Sequence, residues 1–129
     1  MNAPLRVALV GYGFVGKVFH APLIQATPGL VLHTVVSRDA GKVHADWPDV
    51  QVVGDPDAAF ADPAVDVVVI ASPNDSHAPL AMAALAQGKH VVVDKPFTVT
   101  LAEARDVIDA ARRAGRLLSV FQNRRRAGD

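Results

Sequence analysis

Short apolar runs alternate along this chain with longer stretches of helical spacing. Leu5–Val10 is apolar on both faces apart from Arg6, and Val31–Val36 repeats the pattern around His33 and Thr34. Gln51–Val53 is brief, Val67–Ala71 has no polar break, and His90–Val93 and Leu117–Phe121 complete the set. Runs without polar alternation suit strands buried on both faces, and such strands belong to parallel sheets covered by helices. Six strands are expected.

The intervening stretches carry helix signals. Phe14–Ala26 contains Pro22, which is expected to kink or split it. Asp39–Ala45 and Asp57–Phe60 are short candidates. Ser76–Gln87 is rich in Ala and Leu and meets Gly88, placed as a C-terminal cap. Thr100-Leu101-Ala102-Glu103 has capping-box spacing for a helix to Ala114, with Gly115 behind it. This alternation predicts a Rossmann-type, doubly wound α/β sheet with helices on both faces. Right-handed crossovers make 3-2-1-4-5-6 the most economical strand order.

Gly11-Tyr12-Gly13-Phe14-Val15-Gly16 follows the first strand directly and opens the first helical stretch. In that context each glycine has its own use. Gly11 permits the tight turn, Gly13 lets the backbone approach a pyrophosphate, and Gly16 lets helix and strand pack closely. The helix N-terminus, reached through Phe14 and Val15, offers N–H groups and a positive dipole end to phosphates. The bland alternative is a glycine turn without a ligand.

The end of the second strand bears on the choice of dinucleotide. An acid there pairs with a free ribose 2′-hydroxyl, whereas an Arg accommodates a 2′-phosphate. Ser37 stands where the acid is expected and Arg38 follows, which favours NADP(H). A slightly later strand end would bring Asp39 to the ribose and leave NAD(H) open. Asp39 is otherwise the N-cap of the next helix.

Ligands of doubly wound sheets bind beyond the C-terminal ends of the strands. Three more segments fall there: Ser72-Pro73-Asn74-Asp75-Ser76-His77, Asp94-Lys95-Pro96-Phe97 and Gln122-Asn123-Arg124-Arg125. With Pro-Asn-x-x-His at 73–77, Gly-Lys-His-Val-Val-Val-Asp-Lys-Pro at 88–96 and Asn-Arg-Arg at 123–125, the chain resembles the nucleotide-binding half of the Gfo/Idh/MocA oxidoreductases over residues 5–125. It departs from the family's usual Glu-Lys-Pro at Asp94, and Arg126 stands where an aromatic is usual.

The resemblance implies NAD(P)-dependent hydride transfer to or from a hydroxyl or carbonyl of a sugar, polyol or related ring. It implies that Lys95 lies beside the nicotinamide and the reacting carbon, where a cation can hold the substrate oxygen. Pro96 would fix the backbone that aims it. By the same resemblance Pro73, Asn74 and His77 are expected along the nicotinamide-ribose side of the cleft, Gln122 and Asn123 along the same edge, and Ser72 and Asp94 among the cofactor-binding residues. Lys95 and His77 also have plain readings, as a surface Lys and a first-turn helix residue. The family's second, substrate-binding domain is expected to be absent, with residues 1–125 as the cofactor domain and 126–129 as a tail. A homo-oligomer or partner chain is expected through the surface that domain would cover. The alternative function is a dinucleotide-binding module without turnover. A methyltransferase-type domain suits the third glycine and the Lys-Pro motif less well.

Composition changes the picture only at its limits. The 129 residues are 50% hydrophobic and 20% charged, which suits one globular domain. No cysteine is present, so thiolate and disulfide chemistry are excluded. His20, His33, His44 and His90 lack metal-ligand spacing, and no metal site is expected. No Gly-x-Ser-x-Gly elbow occurs, so hydrolase chemistry lacks its nucleophile signature. The net charge of zero argues against nucleic acid as partner. Residues 1–88 nevertheless hold 4 basic and 8 acidic side chains, and residues 89–129 hold 9 and 5. The longest apolar run, Leu80–Ala86, is short for a membrane span, and the start lacks a signal core, so a cytoplasmic location is expected.

Overall fold

A computed structural model describes residues 4–13, 20–71, 77–94 and 101–121, with the side chains at 77, 94, 101, 103 and 119–121 left aside. The six strands are β1 (Leu5–Val10), β2 (Leu30–Val36), β3 (Gln51–Val53), β4 (Val67–Ile70), β5 (His90–Asp94) and β6 (Leu118–Phe121). They form one sheet in the order β3-β2-β1-β4-β5-β6, with every pairing parallel. Expected and observed strands differ by one residue at a few ends, where apolar pattern and ladder bonding part company.

Alternation along the strands sends side chains to two cores. Val7, Leu9, Val35, Val67 and Val69 face α1 (Ala21–Ala26) and α2 (Ala40–Asp46) through Ala21, Ile24 and Val43. Ala8, Val10, Val36, Val68, Ile70, Val91 and Val93 share the other core. There they meet Ala59 and Phe60 of α3 (Pro56–Phe60), Ala81, Ala84 and Leu85 of α4 (His77–Ala86), and Val107 and Ala111 of α5 (Leu101–Ala114). Each Val, Leu or Ile taken fully from water contributes about 1.5–3 kcal/mol, which is why the central strands carry almost no polar residue. Truncating Leu9, which has no exposed surface, costs about 2–5 kcal/mol by the same logic plus a cavity.

Local chemistry sets the ends. Asp39 caps α2 by accepting the Lys42 N–H at 3.0 Å, and Asp55 caps α3 by accepting that of Asp57 at 3.0 Å. Gly88 and Gly115 follow α4 and α5 with φ of 81° and 67°, as expected of C-terminal caps. Thr100 lies outside the described residues, as does the Glu103 side chain, so the capping-box expectation has no structural counterpart here.

α1 begins at Ala21, with Pro22 in its first turn, where no intrahelical N–H is needed. The part of the expected helix at 14–19 lies outside the described residues. One irregularity went unanticipated: the β1–β2 register shifts between Val7 and Ala8, so His33 of β2 has no partner opposite. Its Nδ1 lies 2.7 Å from Oγ1 of the fully buried Thr34, which gives that hydroxyl a partner.

Candidate functional site: the glycine turn and the end of the second strand

The register brings the expected site segments to one edge of the sheet. Val10 is level with both Val36 and Ile70, Ile70 with Val93, and Asp94 with Phe121. Just past that line begin the turn at Gly11, the Ser37-Arg38-Asp39 segment, and the segments that open at 72, 95 and 122. Of the residues expected to bind cofactor or act in catalysis, Phe14, Val15, Gly16, Ser72, Pro73, Asn74, Lys95, Pro96, Gln122 and Asn123 lie outside the described residues. His77 opens α4 and Asp94 ends β5.

Gly11 and Gly13 are described. Gly11 adopts φ 98°, a conformation closed to most side chains, and its N–H donates to the Val36 carbonyl at 3.2 Å. That bond ties the turn to the end of β2. Gly13 is exposed, and a Cβ built on it would meet no atom within 4 Å. Among the described residues, nothing fills the space in front of Gly13, which leaves it open to a ligand. This is what a pyrophosphate approaching the backbone requires.

At the end of β2, the Ser37 N–H donates to the Val53 carbonyl at 2.9 Å, extending the sheet by one bond. The Ser37 hydroxyl accepts the Asp39 N–H at 3.1 Å. Arg38 is exposed and has no ion pair or hydrogen bond among the described residues. Asp39 is committed to capping α2, so the plain reading of Asp39 describes its contact and the ribose reading has to share the carboxylate.

Sequence reasoning missed the residues that brace this edge. Tyr12, between the two glycines, is buried, and its hydroxyl donates to Oδ2 of Asp46 at 2.6 Å. Burial above all, then the hydrogen bond to Asp46 and its charge, push the phenol up to about 12. The Trp47 indole opposes the rise slightly. Lys42 Nζ stands 6.0 Å from the centre of the Tyr12 ring, at the outer limit of a cation–π contact. These residues come from α2 and its C-terminal end, about thirty positions from Tyr12, and no local spacing signals the contact.

Two grooves are built wholly from described residues, and both lie away from the turn. One of about 440 Å3 is bordered by Gln25, His33, Trp47 and Asp49; the other, of about 300 Å3, lies among the N-terminal ends of β1, β4, β5 and β6. Among the described residues no group of three or more His, Cys, Asp or Glu could hold a metal, and no helix is long and apolar enough to cross a membrane.

Comparison with known proteins agrees with this geometry. Residues 5–122 match the family GFO_IDH_MocA, described as an oxidoreductase family with an NAD-binding Rossmann fold. The uncharacterized oxidoreductase YdgJ of Escherichia coli is 58% identical over 97% of this chain and 36% of its own length. The scyllo-inositol 2-dehydrogenase (NADP(+)) IolW of Bacillus subtilis is 36% identical over 94% of this chain and 34% of its own. A crystal structure from Klebsiella pneumoniae superposes with a TM-score of 0.89 at 62% identity, covering 91% of this chain and 34% of that one. GenD2 of gentamicin A biosynthesis, solved with NAD, has a TM-score of 0.85 at 36% identity, over 93% of this chain and 35% of its own. A Synechocystis biliverdin reductase, solved with biliverdin and NADP+, has 0.83 at 32% identity, over 92% and 38%. The chain thus spans about a third of the length of these relatives. With its strand order, its glycine turn and the match over residues 5–122, the chain belongs to the Gfo/Idh/MocA oxidoreductase family and corresponds to the NAD-binding Rossmann fold of its members.

Proposed function

We propose that this chain binds NADP(H) in preference to NAD(H), and serves hydride transfer between the nicotinamide and a hydroxyl or carbonyl of a sugar, polyol or related ring. The observation that carries the reading is the open backbone at Gly13 beside the Ser37-Arg38 end of β2. Gly11 and Gly13 would hold the pyrophosphate, and the free Arg38 guanidinium would take the 2′-phosphate, with the Ser37 hydroxyl beside it. The commitment of Asp39 to Lys42 supports the phosphate over the bare ribose. The relative IolW is a dehydrogenase of NADP(+), which supports the same choice.

The bound nicotinamide would supply the hydride or accept it. Lys95, directly after Asp94 of β5, is assigned to the substrate oxygen, where its charge stabilises negative charge that develops during the transfer. Asn74, His77, Gln122 and Asn123 are assigned to the nicotinamide side of the cleft by family resemblance. Substrate contacts and the remaining acid–base group are assigned to the part of the relatives that this chain does not match.

Association with a second copy or a partner chain belongs to the same reading. That association would run through the surface that the family's second domain covers. A monomer by light scattering at high micromolar concentration would remove that element.

The decisive experiment is a pair of calorimetric titrations with NADPH and NADH. Tighter NADPH binding by about tenfold, roughly 1.4 kcal/mol, is expected. Equal affinities would overturn the cofactor preference, and no binding of either would overturn the assignment of the turn.

A further inference from the structure

The groove at the opposite edge of the sheet has its own chemistry. It holds about 300 Å3 and is lined by Leu5, Pro63, Val65, Asp66, Gly88, Lys89, His90 and Arg116. Lys89 is only 7% exposed, yet it has no ion pair among the described residues. Its Nζ donates to the carbonyls of Asp62 at 2.8 Å and Val65 at 2.7 Å. An ammonium has three protons, so one stays without a partner among the described residues. An ammonium held by neutral carbonyls at a buried position lies in a place of weak screening, and an anion arriving there gains more than it would at the surface.

Two further donors border the same groove. Arg116 uses Nε on the Gly88 carbonyl at 2.6 Å, which leaves both terminal nitrogens free among the described residues. The Leu117 N–H donates to His90 Nδ1 at 3.0 Å. With Nδ1 accepting, the ring's donor is Nε2, which has no partner among the described residues. The one carboxylate in the lining, Asp66, is already engaged: Oδ2 accepts the Arg6 N–H at 2.9 Å and lies 3.6 Å from Arg6 Nε. Within the lining, Lys89 and Arg116 therefore share a single carboxylate.

We propose that this groove is an anion site, separate from the dinucleotide turn, that takes a phosphate group through Lys89, Arg116 and His90. Phosphate suits the donor set because its oxygens accept several charge-assisted bonds at once, including a fork from one guanidinium. The volume admits a phosphate with a small organic body, so free phosphate and a small phosphomonoester share the chemistry.

The test is a titration of the intact chain followed by amide NMR, with inorganic phosphate and glycerol phosphate as probes. Sodium chloride at matched ionic strength is the control. Saturable shifts are expected at the Lys89, His90 and Leu117 amides. Arg116→Gln should weaken that binding by tenfold or more, and Arg116→Lys should restore part of it. Arg116 is exposed, so the variants leave both cores untouched. Phosphate also has reason to visit the glycine turn, and saturating NADPH separates the two: shifts at Gly11 and Gly13 should vanish, and those at His90 and Leu117 should persist. Tighter binding of the ester would identify the organic phosphate as the preferred source, and equal binding the free ion. Shifts confined to Gly11 and Gly13, an equal response to chloride, or unchanged affinity in Arg116→Gln would each overturn the proposal.

Discussion

The hydroxyl of Tyr12 donates to the carboxylate of Asp46 at 2.6 Å, joining the glycine turn after β1 to the last residue of α2, 34 positions away. The same helix begins at the Asp39 cap, beside Ser37 and Arg38. One helix thus touches the proposed pyrophosphate site at one end and the proposed 2′-phosphate site at the other.

This contact gives a pH signature. Burial and Asp46 hold the Tyr12 phenol up at about 12 in the folded chain, against an ordinary value of 10.0. The sign follows from the raised folded value: the stability is fully present below pH 10 and is lost as pH rises toward 12. Over that window the unfolded chain releases a proton that the folded chain keeps. The loss amounts to about 3 kcal/mol at most. The chain has a single tyrosine, so absorbance at 295 nm reports it alone. A midpoint near 12 is expected, and Asp46→Asn should lower it without restoring the ordinary value, because burial remains. A midpoint at 10 in the unaltered chain would refute the contact.

Arg38→Ala should weaken NADPH by a charge-assisted contact worth about 1.5–3 kcal/mol and leave NADH nearly unchanged. Calorimetry on the variant decides it. Equal losses for both dinucleotides would take Arg38 out of 2′-phosphate recognition.

Gly13→Val should abolish binding of both dinucleotides while leaving the melting temperature close to that of the parent, since no described residue opposes a Cβ there. Gly11→Val should lower stability as well, because φ 98° strains any β-branched residue. A Gly13→Val chain that still binds NADPH would mean the pyrophosphate sits elsewhere.

Lys95→Ala should leave the NADPH dissociation constant unaltered and reduce kcat by about 100-fold or more in the form of the protein that turns over a polyol. Retained activity would end its catalytic assignment. A large loss of cofactor affinity would recast it as a binding residue.

The sheet was legible in the sequence because strands buried on both faces leave continuous apolar runs, as at Val67–Ile70, and short links leave little choice of topology. The turn at Gly11 was legible because a φ of 98° suits glycine and few other residues. Pro22 left the helix start open, because a proline is equally at home in a first turn and at a break. Tyr12 with Asp46, and Lys89 with the carbonyls of Asp62 and Val65, were illegible for another reason. Each depends on where a distant element lands, and no local periodicity encodes that.

The strand order also dictates how the molecule must assemble in time. β1 occupies the middle of the sheet, yet its two neighbours arrive separately: Leu5 pairs with Leu30 of β2, whereas Val7 waits for Val67 of β4. Closing the second loop costs more chain entropy than closing the first, so the β1–β2 pair is favoured as the early structure. Until β4 is synthesised and docked, one flank of this central strand stays bare and adhesive to other nascent chains. A ribosome paused between β3 and β4 therefore exposes the molecule at its most vulnerable. Once β4 seals that flank, the β1 amides that bond to it should be among the slowest in the chain to exchange with deuterium.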